Sequence, residues 1–420
     1  MSGEQGGQQS GQPARGQVIE LSVGEAVHGG SCIARTSSGL VFFVRYALPG
    51  ELVRAVVTDT TARLVRADAV EILRAAPERV SPPCPYAVPG GCGGCDWQHA
   101  SLAAQRAIKA QVISQQLRRI AGLDREVTVE PLPGETSGLG WRTRVRFAVG
   151  RNGQAGLRRH RSHDIVPVRD CLIAHPLVTE AGVTRQRWPG ARWVEVAVAP
   201  GTGQRAVLGP GVTQRAPRFL TRQGAGRDWR VAAGGFWQVH PGAADALADA
   251  VLASLQPEPG ETALDLYCGA GLFAGVLAEA VGPAGHVIGI EQDAAAVRDA
   301  RYNLRSAPWA RILRGDAAAL IGDGQDRPSG PAAGASIAVL DPPRTGAGRG
   351  LAEALCAWPG LRAVAYVSCD PATLARDIAV FGGLGWELTG LRAFDAFPMT
   401  HHVECLAVLA PVPDAQGGAA

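Results

Sequence analysis

The sequence predicts a multidomain α/β protein in which β-rich modules precede a domain built on a parallel sheet. Up to residue 232, many short β-branched runs are separated by glycine and proline turns, a pattern typical of small barrels and antiparallel sheets. From residue 233, apolar strands alternate with Ala- and Leu-rich helices, the pattern of a parallel sheet covered by helices. We expect a disordered tail (1–16), a β-barrel (17–75), a cysteine loop and helix (76–124), a β-rich middle domain (125–232), the parallel-sheet domain (233–412) and a short tail (413–420).

Composition limits the class of protein further. With 46% hydrophobic and 19% charged residues, a chain of 420 residues is expected to fold and to bury several cores. No apolar run is long enough to span a bilayer and none follows the N-terminus as in a signal peptide, so we expect a cytoplasmic protein without membrane contact. The net charge of +3 excludes a wholly basic nucleic-acid binder. Lys109 is the single lysine among 41 cationic residues. In a chain so rich in arginine, an individual arginine is weaker evidence of a functional site than usual.

The first β-rich segment is predicted to form a small barrel. Its short strands are punctuated by the Gly29-Gly30 step and by a turn at Leu48-Pro49-Gly50-Glu51, a spacing that suits a barrel of OB type. Together with the strand Phe42-Phe43-Val44, these features resemble a TRAM domain. The resemblance implies an RNA-binding accessory module, and a structural barrel without a ligand is the alternative.

Nine cysteines in a chain expected to be cytoplasmic favour metal binding or catalysis over disulfides. Seven residues separate Cys84 from Cys92, and two separate Cys92 from Cys95. Glycine and proline between these thiols let the backbone fold tightly around one ion or cluster. The best candidate for a fourth ligand is Cys171, and the set suits either tetrahedral zinc or an iron–sulfur cluster.

The middle domain contains a basic stretch. Arg142, Arg144 and Arg146 alternate with apolar or small residues, and no acidic residue occurs between Trp141 and His163. A sheet that presents alternate arginines beside a tryptophan suits phosphate contacts and base stacking in RNA. A solvated face without a ligand is the alternative, because strands routinely turn alternate polar residues outward.

The parallel-sheet domain opens with a nucleotide-binding pattern. A predicted strand runs into a turn containing Gly269 and Gly271, and the next strand ends in Glu291, which is placed to bind ribose hydroxyls. A third strand ends in Asp316, within reach of an adenine amino group. The full dinucleotide glycine pattern is missing, which favours a mononucleoside-like ligand over NAD. The arrangement resembles a class I S-adenosylmethionine methyltransferase, whose domain is Rossmann-like.

Three further residues are predicted to meet at the carboxyl edge of this sheet. Asp341 ends the fourth strand, and two prolines keep the chain extended after it. Cys369 lies where the fifth strand ends and a helix begins at Asp370, a position that favours a thiolate. The last two strands should form an antiparallel hairpin, which turns Glu404 toward the same crevice. A buried cysteine that acts as a small hydrophobe is the alternative for Cys369.

Three motifs in order resemble the RNA 5-methyluridine (uracil-5-) methyltransferases: Asp341-Pro342-Pro343-Arg344, the run from Ser368 to Asp377, and Phe397-Pro398 through Glu404. The resemblance covers nearly the whole chain and implies that Cys369 is the nucleophile and Glu404 the general base. It places S-adenosylmethionine against Gln238, Tyr267, Gly269, Gly271, Glu291, Asp316 and Asp341. It makes Cys84, Cys92, Cys95 and Cys171 ligands of a 4Fe-4S cluster, with zinc as the alternative.

The resemblance also sets the partners that we expect. The TRAM module and the cluster favour 23S rRNA over tRNA as the substrate of a monomeric enzyme. Two other classes of protein are alternatives: a methyltransferase that acts on amino groups of DNA or RNA, and a non-catalytic iron–sulfur RNA-binding protein. Three departures from the family pattern stand out: the seven-residue gap after Cys84, Leu272 where many relatives have asparagine, and Met399 where histidine is common.

Overall fold

In the computed structural model of the chain, the described residues are 12–37, 39–61, 63–212, 216–322 and 334–413. The predicted tails at 1–16 and 413–420 lie mostly outside these ranges. No helix within the described ranges is long and apolar enough to cross a membrane.

The N-terminal strands close into a barrel with the order β1-β2-β3-β5-β4. They are β1 (Val18–Val27), β2 (Ser31–Arg35), β3 (Val41–Arg45), β4 (Leu52–Thr60) and β5 (Val65–Arg74). Alternate residues such as Phe42, Val44 and Val53 point inward and are buried. Gly30, between β1 and β2, has a positive φ, and a Cβ there would lie 2.7 Å from the side chain of Asp96. The barrel therefore packs directly on the cysteine loop.

A helix and a short strand connect the cysteine loop to the middle of the chain. They are α1 (Leu102–Gln116) and β6 (Val129–Pro131). The helix begins at Ser101, whose hydroxyl accepts a hydrogen bond from the backbone N–H of Ala104. It continues through a π-helical turn and ends at Gly122 in the left-handed conformation.

The middle of the chain forms a five-stranded sheet with the order β11-β10-β7-β8-β9. Its elements are β7 (Arg144–Val149), β8 (Ala155–Arg158), β9 (Ile165–Val166), the short helix α2 (Pro176–Thr179), β10 (Trp193–Ala199) and β11 (Gln204–Leu208). A separate hairpin follows, with β12 (Phe219–Gly224) and β13 (Arg227–Ala232). Trp229 of this hairpin is fully buried against the C-terminal domain. The hairpin therefore joins the middle of the chain to the C-terminal domain.

The C-terminal domain is an eight-stranded sheet with the order β16-β15-β14-β17-β18-β20-β19-β6. Its strands are β14 (Thr262–Leu266), β15 (His286–Glu291), β16 (Ala310–Arg314), β17 (Ile337–Leu340), β18 (Ala363–Ser368), β19 (Trp386–Asp395) and β20 (Glu404–Pro411). Its helices are α3 (Ala243–Leu255), α4 (Leu272–Val281), α5 (Ala294–Asn303), α6 (Ala317–Gly322), α7 (Arg349–Cys356) and α8 (Pro371–Gly383). The central strands β14, β17 and β18 are buried along their whole length, as expected for parallel strands covered by helices on both faces.

The end of the chain completes this sheet. The predicted hairpin is present, because β19 and β20 pair antiparallel, and β20 also pairs antiparallel with β18. The edge beyond β19 is covered by β6, which pairs in parallel with it. The residues of β6 fall within the range predicted for the middle domain, yet they satisfy the exposed N–H and C=O groups of this edge.

A buried ion pair ties α1 to the C-terminal sheet. Lys109 Nζ lies 2.6 Å from Asp395 Oδ1 and donates to the carbonyl of Phe397 at 3.0 Å. Both charged side chains are almost fully buried. Pairing and hydrogen bonding offset the cost of removing these two charges from water.

The cysteine loop holds the same connection between β19 and β20. The carboxylate of Asp96 accepts hydrogen bonds from His401 Nδ1 at 2.7 Å and from the His401 backbone N–H at 3.1 Å. The carbonyl of Met399 accepts from the backbone N–H groups of Asp96 and Trp97. Because this connection leads directly into Glu404, the N-terminal modules fix where β20 begins.

Candidate active site

The carboxyl edge of the C-terminal sheet brings together the residues that the sequence predicts to react. In the antiparallel pairing of β18 with β20, Ser368 lies opposite Cys405. Cys369 and Glu404 continue this ladder by one residue and are therefore neighbours across the two strands. Asp341 directly follows β17, the strand that pairs with β18 on its other side. All three side chains belong to one edge of the sheet.

Cys369 directly precedes α8. Asp370 is the N-cap of this helix, and its Oδ1 accepts hydrogen bonds from the backbone N–H groups of Ala372 at 3.1 Å and Thr373 at 2.9 Å. Although Cys369 precedes a helix start, burial, and next the negative charge of Glu404, raise its pKa to about 11. A pKa of about 11 does not favour the expected thiolate in the free protein at pH 7, and the role of Cys369 as nucleophile stays a prediction.

Two carboxyl groups share the same poorly hydrated edge. Burial, and next the negative charge of Asp341, raise the pKa of Glu404 well above its ordinary value. Burial also raises the pKa of Asp341 to about 7. The positive charge of Arg344 acts in the opposite direction on the pKa of both Glu404 and Cys369. Any further cation at this edge would favour the ionised forms of all three groups.

Two neighbours of Cys369 were not singled out by the sequence. Arg344 Nη2 lies 3.3 Å from His402 Nε2, at the mouth of the site. His28 of the barrel lies 3.3 Å from Asp370 Oδ2, the N-cap carboxylate of α8. The Asp-Pro-Pro-Arg motif already contained Arg344 and was a usable signal. No local pattern connects His28 with Cys369, because the contact joins opposite ends of the chain.

The turn after β14 contains the residues predicted to bind a nucleoside. Tyr267, Gly269 and Gly271 all have positive φ, at 67°, 53° and 93°. The backbone N–H of Gly269 donates to Glu291 Oε2 at 3.0 Å, and that of Asp293 donates to Oε1 at 2.7 Å. Glu291 is thereby held beside the glycine turn, where the ribose of a bound nucleoside is expected.

Asp316 and Leu272 differ in their exposure. Asp316 is exposed, and its Oδ1 accepts a hydrogen bond from the backbone N–H of Ala319 at 2.9 Å. Burial, and next the charge of Asp316, raise the pKa of Tyr267 to about 12, so these two side chains lie near each other. Leu272 is buried among the apolar residues beneath the turn. It can offer a ligand only its backbone.

Gln238 lies apart from this group. It is buried and lines a cavity of about 440 Å³ between the middle sheet, the β12–β13 hairpin and the start of the C-terminal domain. None of the other predicted cofactor-binding residues lines this cavity. Thr143 of the middle sheet donates twice to the carbonyl of Val239 at 2.9 Å, once from its backbone N–H and once from its hydroxyl. These bonds fix Gln238 at the junction of the middle sheet and the C-terminal domain.

A second cavity, of about 760 Å³, is lined by all four predicted metal ligands, Cys84, Cys92, Cys95 and Cys171. The loop lies tightly on the middle domain, because a Cβ on Gly93 would be 2.4 Å from the backbone N of His160. Burial, and next the charge of Cys92, raise the pKa of Cys171 to about 11. No three His, Cys, Asp or Glu side chains in the described ranges are arranged to hold a single metal ion. Four thiols around one cavity are a donor set that fits a sulfur-ligated cluster.

The basic stretch of the middle domain is less positive than its sequence indicates. Arg144 and Arg146 lie 3.4 and 3.0 Å from the carboxylate of Glu195, because the register of β7 with β10 sets Arg146 opposite Glu195. Trp141, predicted to stack on a base, is buried and instead stacks on His240. Arg158, Arg159 and Arg161 are exposed on this stretch and line the cysteine cavity.

Comparisons with known proteins agree with this architecture. Family models match residues 13–70 as a TRAM domain, 257–312 as a methyltransferase domain and 334–411 as a tRNA (uracil-5-)-methyltransferase. An uncharacterized RNA methyltransferase of Streptomyces avermitilis is 48% identical over 94% of this chain and 99% of its own length. The chain belongs to the RNA (uracil-5-)-methyltransferase family. This methyltransferase takes its methyl group from S-adenosylmethionine and acts on RNA.

A second curated relative and one solved structure are also similar to this chain. The 23S rRNA (uracil(1939)-C(5))-methyltransferase RlmD of Pseudomonas putida is 34% identical over 88% of this chain and 89% of its own length. A tRNA (uracil-54, C5)-methyltransferase of Pyrococcus abyssi, solved with S-adenosyl-L-homocysteine, superposes on this methyltransferase with a TM-score of 0.69 over 93% of this chain and 99% of its own. At 20% identity, that structure shows the shared fold. The predicted multidomain fold with a TRAM barrel is thereby confirmed.

The raised pKa of Asp341 predicts a pH dependence of stability. Between pH 4 and pH 7 the unfolded chain ionises this carboxyl, whereas the folded chain, with a pKa of about 7, keeps its proton. The contribution of Asp341 to the free energy of unfolding therefore falls as pH rises through this window. Asp341→Asn removes the ionisable group, so we expect its melting temperature, relative to that of the unmutated protein, to increase from pH 4 to pH 8.

Thermal unfolding at four or five pH values measures this difference. The same assay with S-adenosylmethionine should show a ligand-induced increase in melting temperature that Asp341→Asn loses. A difference that does not change with pH would contradict the electrostatic account of this carboxyl group.

Proposed function

We propose that this enzyme methylates carbon 5 of a uridine through a covalent bond between Cys369 and carbon 6. Carbon 5 of uracil is a poor nucleophile until an atom adds at carbon 6. Attack by the Cys369 thiolate makes carbon 5 enolate-like, and carbon 5 then takes the methyl group from the sulfonium. The observation that carries the proposal is the position of Cys369 beside Glu404 across the β18–β20 ladder.

Glu404 is the proposed general base. After methyl transfer, carbon 5 still carries its proton, which the Glu404 carboxylate removes while the bond between carbon 6 and sulfur breaks. This elimination restores aromaticity and releases Cys369 as a thiolate. Burial, and next the negative charge of Asp341, raise the pKa of Glu404, which makes its carboxylate a stronger base for this proton.

Positive charge is required before the thiol can react. Cys369 has a pKa of about 11 in the free protein, so only a small fraction is thiolate at pH 7. Arg344 already favours the ionised forms of Cys369 and Glu404. A sulfonium bound near Asp341 would add a second positive charge to the same edge. We therefore infer that binding of S-adenosylmethionine precedes formation of the thiolate.

The proposed substrate is a uridine of 23S rRNA. RlmD of Pseudomonas putida, whose name gives uracil 1939 of 23S rRNA as its target, resembles this chain over most of both lengths. A uridine must leave its base stack to reach a buried thiol, and the barrel, which contacts α8 through His28, is placed to hold the surrounding RNA. Uridine 54 of tRNA is the alternative, because the Pyrococcus abyssi enzyme of the same fold acts there.

Mass spectrometry of 23S rRNA and tRNA from a strain that lacks the gene for this enzyme tests which RNA is the substrate. We expect one 5-methyluridine to disappear from 23S rRNA while tRNA keeps its own. Loss from tRNA alone would contradict the proposed substrate.

We further propose that the four thiols of the 760 Å³ cavity bind a 4Fe-4S cluster, with zinc as the alternative. A bound cluster would tie Cys171 of the middle domain to the loop that carries the other three ligands. Iron and acid-labile sulfide analysis of anaerobically purified protein tests this proposal. Cys95→Ser should lose both iron and sulfide, and zinc without iron in the unmutated protein would contradict a cluster.

The covalent mechanism predicts different outcomes for its two residues. Glu404→Gln should lower turnover by roughly 10²–10⁴-fold, because proton removal from carbon 5 becomes slow. It should also accumulate the adduct between Cys369 and RNA, visible as a band that survives denaturing electrophoresis. Cys369→Ala should abolish both turnover and the band. A Glu404→Gln variant that binds RNA and S-adenosylmethionine yet gives no such band would exclude this role for Glu404.

A further inference from the structure

Arg222 is a buried arginine whose charge has no carboxylate partner in the described part of the chain. The residue lies on β12 and is 4% exposed. Its guanidinium donates one hydrogen bond, to the carbonyl of Val198 on β10, and its Nε has no partner among the described atoms. Burial, and next the positive charge of Arg144, lower the pKa of Arg222 to about 10, so it is still charged at neutral pH.

The other two buried cations within the described ranges are neutralised. Lys109 lies 2.6 Å from Asp395, and Arg45 lies 3.2 Å from Asp96. A buried charge without a counter-charge is unfavourable, and ionisable groups perturbed in this way cluster at functional sites. Among the described residues, Arg222 therefore has no carboxylate within ion-pair distance.

Arg222 lines the cavity of about 440 Å³ that also contains Gln238. Two carboxylates line the same cavity, and both are engaged elsewhere. Asp245 Oδ1 accepts from the backbone N–H of Ala225 at 2.6 Å, and Asp228 Oδ1 accepts from Gln223 Nε2 at 3.3 Å. Neither forms an ion pair with Arg222, so the guanidinium remains available to an anion that enters the cavity.

We propose that this cavity binds a backbone phosphate of the RNA substrate and that Arg222 is its principal contact. A guanidinium matches the geometry of a phosphate and can donate two parallel hydrogen bonds to it. The cavity lies where the middle sheet meets the methyltransferase domain. Of the predicted cofactor-binding residues, Gln238 lines it, whereas the glycine turn, Glu291, Asp316 and Asp341 do not. This separation favours an RNA phosphate over the carboxylate of S-adenosylmethionine. The inference rests on RNA as the substrate and is independent of the covalent step.

Arg222→Met tests the proposal by equilibrium binding of labelled, unmodified 23S rRNA transcript over a range of salt concentrations. We expect the affinity to fall by roughly tenfold, as for loss of one charge-assisted hydrogen bond. The slope of log affinity against log salt should decrease in magnitude by about one, because one phosphate contact is lost. The melting temperature should stay the same or increase, because the substitution removes an unpaired buried charge.

Two controls make the result specific. Arg362→Met removes an exposed arginine paired with Glu261 at 2.9 Å, at the opposite end of β18, and should change neither affinity nor slope. Arg222→Lys keeps the charge without the planar fork, so we expect weaker binding with an unchanged slope. This variant also carries the test if Arg222→Met does not fold.

Calorimetry with S-adenosylmethionine distinguishes the two anions that could occupy the cavity, an RNA phosphate and the carboxylate of S-adenosylmethionine. The affinity of Arg222→Met for S-adenosylmethionine should equal that of the unmutated protein. A loss of that affinity with normal RNA binding would overturn the proposal in favour of the cofactor carboxylate. Unchanged RNA affinity and salt slope in the folded variant would overturn it outright. Failure of the unmutated protein to bind RNA would contradict the proposed function as well.

Discussion

The antiparallel pairing of β20 with β18 is the constraint on which the site depends. Of the three residues predicted to react, the parallel strands bring Asp341 and Cys369 to the carboxyl edge, because each of these two residues follows its own strand. Glu404 stands at the beginning of β20, and a parallel strand would have placed it at the opposite edge. Reversal of the last strand brings it beside Cys369, with Ser368 opposite Cys405. A shift of one residue in this register would turn Glu404 to the other face of the sheet.

This register is supported from outside the methyltransferase domain. The connection from β19 into β20 is held by Lys109 and Asp96, which belong to α1 and the cysteine loop. The single lysine of this arginine-rich chain lies here, and its compact ammonium donates to both the Asp395 carboxylate and the Phe397 carbonyl. The N-terminal modules are therefore physically coupled to the start of the strand that carries the proposed base.

Much of the fold followed from sequence because its signals are local. Strand ends, the glycine turn and the Asp370 cap each depend on a few consecutive residues, and they located Cys369 correctly at the end of β18. Properties that depend on distant partners did not follow. The neutralisation of Arg146 by Glu195 requires the register of two strands, and the raised pKa of Cys369 requires knowledge of its burial. The contact between His28 and Asp370 likewise joins the barrel to the C-terminal sheet.

The central claim, a bond between Cys369 and carbon 6 of uracil, is tested most directly with RNA that contains 5-fluorouridine. Fluorine at carbon 5 cannot be removed as a proton, so the methylated adduct should persist. Trypsin cleaves after Arg362 and Arg376 and releases a peptide in which Cys369 is the single cysteine. The account predicts that mass spectrometry finds the methylated, fluorinated nucleotide on this peptide. An adduct on another cysteine, or no adduct while unmodified RNA is methylated normally, would contradict it.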